Sequence, residues 1–286
     1  MPDRSRISST GRRLRQRDSE TGGAILMLMY VDAEALNLRS RPEVAADTRL
    51  ALLHLCQQVD VLGRADEPGW VRVSAEIRHE RVEGFVSEQF LRAPVDDARE
   101  ALIAQAIREW LRFEKGLGRE FNDPFAGFVG EMWQAIGIDL DGRDRDVPWS
   151  AAAISFMVRS AGDTFRQYRN FRFAAAHARY IHDSIVRRQA GDNDTPFWGF
   201  RLHERRPELG DMVCRWRETE RDFDDAAVSD QFKSHCDIIV RVTTDEVFAI
   251  GGNVSHSVSI TRYDKTQSGF LADTNNVFAH LVNRVA

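Results

Sequence analysis

The chain has 286 residues, 43% of them apolar and 29% charged, a composition that can bury a core and excludes a disordered polyelectrolyte. The longest strongly apolar run, Ala24 to Val31, has eight residues, far short of the roughly 20 that cross a bilayer. A net charge of -5 argues against a nucleic-acid partner, whose domains carry a basic excess. At about 100–200 residues per domain, the length fits two modest domains or one large one.

Three cysteines, Cys56, Cys214 and Cys236, are odd in number and far apart, with no C-x-x-C pair. They make no disulfide framework and fit thiols kept reduced in a cytosol. Only Lys115, Lys233 and Lys265 are lysine. The arginines scatter among the acids, a pattern of codon bias rather than of phosphate recognition. Residues 1–22, with Arg4, Arg6, Arg12, Arg13, Arg15 and Arg17, are expected to be a disordered basic arm. The apolar run that follows is short for a signal peptide, so the protein is expected to be cytoplasmic as made.

From residue 23 to 94 short β-rich segments alternate with turns. Ala24–Val31, Leu50–Cys56, Gln58–Leu62, Gly69–Val73 and Glu83–Val86 are the predicted strands, with loops around Pro42, Asp66–Gly69 and Gly84. Five or so such strands predict a small barrel, with Trp70 filling its interior. The order Ala35-Leu36-Asn37-Leu38-Arg39-Ser40, then Gly69-Trp70-Val71, then Gly84-Phe85-Val86-Ser87 resembles a bacterial SH3-like (SH3b) domain. That resemblance implies a wall-tethering or interaction module. Phe85 departs from it, standing where such domains often have Trp.

Pro94 ends the barrel. Asp97 with Glu100 three residues on predicts a capped helix start. Leu102, Ile103, Ala106, Ile107, Trp110, Leu111 and Phe113 recur at helical spacing. A second helix is predicted from about Pro124 to Ile136, stopping at Gly137. The acidic run Asp139–Asp146 misses the calcium-loop spacing and reads as a solvated loop. Ser150 follows a Pro-Trp turn at the start of a third helix, whose stripe is Ile154, Met157, Val158 and Ala161. A helix N-terminus stabilises a developing anion, although position alone favours a structural capping serine.

Three segments follow: Pro207–Val213, a turn feeding a strand; Ser234–Val240, a strand with a histidine at its mouth; and Phe248–Val254, a strand ending in a Gly-Gly-Asn turn. The words DVPWSAA, AHARYI, LGDMVC, SHCDIIV and IGGNVSHSV together resemble papain-like cell-wall hydrolases of the NlpC and CHAP type. Within them the chain over about 97–275 most resembles the bacterial domain-of-unknown-function family 2272. The resemblance implies an α+β fold: an SH3-like β-barrel (23–94), then a papain-like domain (95–286) with a nucleophile-bearing helix on an antiparallel sheet.

It also implies a site in which Ser150 is the nucleophile, His235 the general base and Asn253 the group that orients the imidazole. Trp149 would wall the cleft or staple the helix. His177 would line the cleft, serve as an alternative base, or be a satisfied structural histidine. Asp211 is assigned to substrate binding or to holding a turn. His177 and His182 are spaced i,i+5, and H-E-x-x-H is absent, so neither a metal nor a cofactor is expected.

Related CHAP-type enzymes carry Cys where this chain has Ser150. A thiol can be drawn to a standing thiolate, from about 8.5 down to 3.5–7.5, whereas a serine must lose its proton to a base during attack. The expected activity is hydrolysis of peptide-stem amide bonds of peptidoglycan. The alternatives are a catalytically inactive papain-like binding module, or an acyltransferase using the same trio. The expected partner is peptidoglycan or a peptide ligand, with a further contact between the SH3-like unit and the catalytic domain. Delivery to a wall would need a dedicated secretion or phage lysis route.

Overall fold

The computed structural model describes residues 27–286. The basic arm expected at 1–22 and the start of the Ala24–Val31 run lie outside the described residues. The chain divides into two compact units, one ending at Ala93 and one beginning at Pro94. Among the described residues no helix is long and apolar enough to cross a membrane.

The first unit holds β1 (Met27–Val31), β2 (Ala35–Arg39), β3 (Arg49–His54), β4 (Gln58–Arg64), β5 (Trp70–Ile77), β6 (Glu80–Ser87) and β7 (Leu91–Arg92). The strands form one antiparallel sheet in the order β3-β2-β6-β5-β4-β1-β7. Alternation makes its inner face: Val71, Val73 and Ala75 of β5 are buried while Arg72 and Glu76 between and after them are exposed. They join Val31, Leu36, Leu38, Leu53, Val59, Val61 and Val86 in one core. Arg78 and His79, both at left-handed φ (51° and 71°), make the two-residue turn between β5 and β6, whose twist suits a hairpin.

Two expectations change here. No ladder among the described residues joins β3 to β7, so the sheet is not described as a closed barrel. Its last strand has only two residues, paired with Tyr30 and Val31. Trp70 is half-buried rather than interior, because it opens β5 beside the Asp66–Gly69 turn and misses the strand's central layer.

The second unit has five α-helices among the described residues: α1 (Asp97–Arg112), α2 (Phe125–Gln134), α3 (Ser150–Ala161), α4 (His177–Gln189) and α5 (Phe223–Val228). Its strands are β8 (Phe197–Phe200), β9 (Met212–Trp216), β10 (Ser234–Val242), β11 (Glu246–Val254), β12 (Ser257–Asp264) and β13 (Val277–Asn283). They form an antiparallel sheet in the order β12-β11-β10-β9-β13-β8. The molecule is therefore α+β, with two antiparallel sheets.

The cap of α1 lies one residue earlier than expected: Asp96 accepts the Arg99 amide at 2.8 Å, and Glu100 reaches back to the Val95 amide at 2.9 Å. Of the predicted stripe of α1, Leu102, Ile103, Ala106, Ile107, Trp110 and, just past its end, Phe113 are buried, and Leu111 is half-buried. The third helix is the structural key. An isolated helix of its length is marginal in water, so burial of Ile154, Met157 and Val158, each worth about 1.5–3 kcal/mol, must hold it. Its alanine face meets Gly252 of β11. A Cβ on Gly252 would fall 2.4 Å from the Ala153 Cβ and 2.8 Å from the Trp149 ring. Small residues on both sides thus let helix and sheet close tightly, which sets the start of α3 against the end of β11.

Candidate functional site

Ser150 is the first residue of α3 and is 3% exposed. Its Oγ lies 2.7 Å from Nε2 of His177, itself the first residue of α4 and 4% exposed. The imidazole paired with the serine is therefore His177, not the His235 expected from the sequence. His235 is fully buried and engaged elsewhere: Nε2 is 2.8 Å from Asp237 Oδ1, and Nδ1 receives the Arg217 guanidinium at 3.0 Å. The two imidazole rings are 5.0 Å apart.

The hydrogen-bond directions in this cluster are decided at its far ends. The backbone N–H of Cys236 donates to His177 Nδ1 at 3.1 Å. It is free to do so because β11 pairs with β10 only from Ile238↔Ile250 onward. The Tyr180 hydroxyl contacts the same nitrogen. An amide can only donate, so Nδ1 of His177 carries a lone pair and its neutral ring has the proton on Nε2. Nε2–H therefore donates to Ser150. The same logic applies to His235. A guanidinium only donates, so Nδ1 is the acceptor and Nε2–H donates to Asp237.

Electrostatics hold His177 in that neutral form. Burial, followed by the fields of His235, Arg217 and Arg215, lowers its pKa well below 6.5. Its place at a helix N-terminus acts the same way. Burial raises the Asp237 carboxyl, but the pull and hydrogen bond of His235, with the Tyr263 hydroxyl and Arg215, outweigh it and leave the group below its ordinary range. Burial and the neighbouring Arg215 lower Arg217.

The other expected site residues are placed differently. Asn253 makes no hydrogen bond to His235. It sits at φ 54° in the bulge between Gly251 and Val254, a left-handed position that asparagine tolerates. Trp149 does not wall a cleft. It is buried, donates Nε1–H to Glu120 and stacks on Phe113 with centroids 5.7 Å apart, so it fastens the start of α3. Asp211 is fully enclosed. Oδ1 takes Arg99 at 2.8 Å and the Asn283 amide at 2.9 Å. Oδ2 takes His280 at 2.8 Å and the Glu208 amide at 3.0 Å. No acceptor position remains for a substrate.

Sequence reasoning missed Asp237, Arg217, Tyr180 and Tyr263. Two of these carried a signal. Asp237 follows His235 by two residues, which on a strand puts both on one face, and Tyr180 follows His177 by three, neighbours on a helix. A surface depression of about 530 Å³ between α2 and the 139–144 loop is lined by Glu131, Asp139, Asp141, Arg143 and Asp144. It shares no residue with the Ser150 cluster. No group of three or more potential metal ligands occurs among the described residues.

Residues 117–283 match the family described as an uncharacterized protein conserved in bacteria (DUF2272), and the chain belongs to that family. No curated protein matches it. Among solved structures it is similar to NlpC2 from Trichomonas vaginalis, with 11% identity, TM-score 0.29, and 92% of this chain and 74% of that one covered. It is also similar to NlpC1 from the same organism, at 11% identity and TM-score 0.26, covering 86% and 68%. Both likenesses are low.

Proposed function

We propose that the second unit is a papain-like domain of the NlpC/CHAP type that works without hydrolysis, as a binding module for a peptide or for peptidoglycan, in a chain whose first unit is SH3-like. The observation that carries this reading is the Cys236 amide donating into His177 Nδ1. With the proton thereby on Nε2, His177 offers Ser150 a hydrogen rather than a lone pair, and His235 has no free nitrogen to replace it. A general base must accept the serine proton during attack. A histidine held in the wrong tautomer in a Ser-His-Asp site loses about 10⁴-fold in kcat, equivalent to about 5.5 kcal/mol of barrier. Dipole effects at a helix start, about 0.3–2 kcal/mol, do not make up that difference. The burial of Ser150 and His177 supports the same reading.

One observation favours a second reading, a serine-type amide hydrolase acting on peptide stems. Ser150 Oγ and His177 Nε2 are at nucleophile–base distance, at a helix start whose free N–H groups suit an oxyanion. It requires His177 to take its proton on Nδ1 and expel the Cys236 amide.

Purified protein incubated with peptidoglycan sacculi and muropeptides, alongside Ser150→Ala and His177→Ala, separates the two. The binding reading expects co-sedimentation with sacculi, undiminished in Ser150→Ala, and no new muropeptide from any form. Products that vanish in Ser150→Ala would overturn it in favour of the hydrolase. Failure of every form to co-sediment would remove peptidoglycan as the partner.

A further inference from the structure

Cys214 and Cys236 face each other across β9 and β10 as direct register partners. Their Sγ atoms are 3.0 Å apart, within about 1 Å of the bonded distance of about 2.05 Å. Ladder bonds flank them. The Ile239 amide donates to the Asp211 carbonyl and the Arg217 amide to the Lys233 carbonyl. Because hydrogen-bonded pairs alternate along antiparallel strands, Cys214 and Cys236 fall in a non-hydrogen-bonded pair. The Cys236 amide, turned away to His177, agrees with that. Such pairs hold their Cα atoms at about 4.5 Å, inside the range that a disulfide spans. Both thiols are free and fully buried.

We propose that Cys214 and Cys236 are a cross-strand disulfide site, oxidised while the chain folds in the presence of a small-molecule disulfide and closed to oxidation once folded. The chemistry is thiol–disulfide exchange. One cysteine thiolate attacks the small disulfide, forming a mixed disulfide and releasing one thiolate. The second cysteine thiolate displaces the other half. Two cysteine thiols are oxidised, one small disulfide is reduced to two thiols, and the two cysteine protons pass through solvent to the released thiolates. In the folded protein exchange stops for two reasons: no oxidant reaches fully buried sulfurs, and burial raises the Cys236 thiol well above its ordinary pKa, leaving no thiolate to attack.

The bond would bear directly on the serine cluster. Cys236 supplies the amide that sets the His177 proton, and its thiol lies against the Tyr180 hydroxyl. Oxidation removes the Cys236 thiol hydrogen and ties β10 to β9 where His235, Asp237, Arg215 and Arg217 stand.

The test uses the full chain, reduced and unfolded, then refolded by dilution into reduced glutathione alone or into reduced plus oxidised glutathione. Each sample is then denatured and alkylated with iodoacetamide. The dithiol sample is expected to take alkyl groups on all three cysteines of the sequence. The redox-refolded sample should take one, on Cys56, be lighter by about 2 Da before alkylation, and yield a linked Cys214–Cys236 peptide. Protein already folded in its reduced form and then given oxidised glutathione should still alkylate at all three. Cys56→Ser, which leaves the pair intact, should alkylate nowhere after redox refolding. Three free thiols after redox refolding, a bond from Cys56 to Cys214 or Cys236, or a lasting glutathione adduct on Cys214 or Cys236 would overturn the site. Rapid oxidation of the folded dithiol would overturn its closure.

Discussion

The second unit buries two polar clusters, and they are wired in opposite ways. Around Asp211 four donors, Arg99, His280 and two backbone amides, converge on one carboxylate. Around Ser150 hydrogen bonds run in series, from the Cys236 amide through His177 to the serine, and from Arg217 through His235 to Asp237. The first arrangement saturates an acceptor and pins α1 to the ends of β9 and β13. The second uses each imidazole as a relay that receives at Nδ1 and gives at Nε2. A serine within reach of a histidine is thus not by itself a nucleophile with a base. The donor on the far side of the ring decides the direction.

The comparison can be broken most forcefully at Asp211. Asp211→Ala takes from Arg99 its one buried carboxylate, leaving it the partly exposed Asp96 at 3.3 Å and the exposed Glu208 at 3.6 Å. It also strips His280 and two amides of their acceptor and should destabilise the unit by about 3–5 kcal/mol, read from urea unfolding midpoints. An effect under about 1 kcal/mol would show that the converging cluster is no scaffold. At the serial cluster, Ser150→Ala orphans one buried N–H and should lose about 1–3 kcal/mol, less than Asp211→Ala. Equal losses would erase the distinction between the clusters.

Protonation sharpens the contrast further. The folded state lowers His177 below 6.5, so below that pH the unfolded chain binds a proton that the native state refuses. His177 therefore contributes full stability above about pH 6.5 and loses it, by up to about 1.4 kcal/mol per pH unit, as pH falls toward the folded pKa. His177→Gln should flatten the pH dependence of unfolding in that window. An unchanged slope would mean that His177 is not buried neutral. The smallest effect is expected at Asn253. Asn253→Gly keeps the left-handed backbone accessible and should alter stability by no more than about 0.5 kcal/mol. A larger loss measured by thermal unfolding would restore a side-chain role to that residue.

Much of the scaffold was legible because local patterns carry it. Apolar spacing marks α1, the Pro-Trp turn marks the start of α3 at Ser150, and the apolar run after Ser234 marks β10. Closure of the first sheet was not legible, since it depends on which distant strand edges meet. The site was legible only in its cast. Ser150 and both histidines stand out as residues, but pairing Ser150 with His177 requires two helix starts to converge at the point where β11 leaves β10. The decisive donor, the Cys236 amide, belongs to the backbone, so no side-chain identity announces it. Asp237 is legible from strand alternation, two residues after His235 and on the same face.

The most direct measurement is the protonation state of His177 itself, by nitrogen-15 NMR of the imidazole at neutral pH, assigned with His177→Gln. The proton should reside on Nε2, with Nδ1 unprotonated and coupled across a hydrogen bond to the Cys236 amide. A proton found on Nδ1, leaving Nε2 open toward the Ser150 hydroxyl, would contradict the account and reinstate a working base.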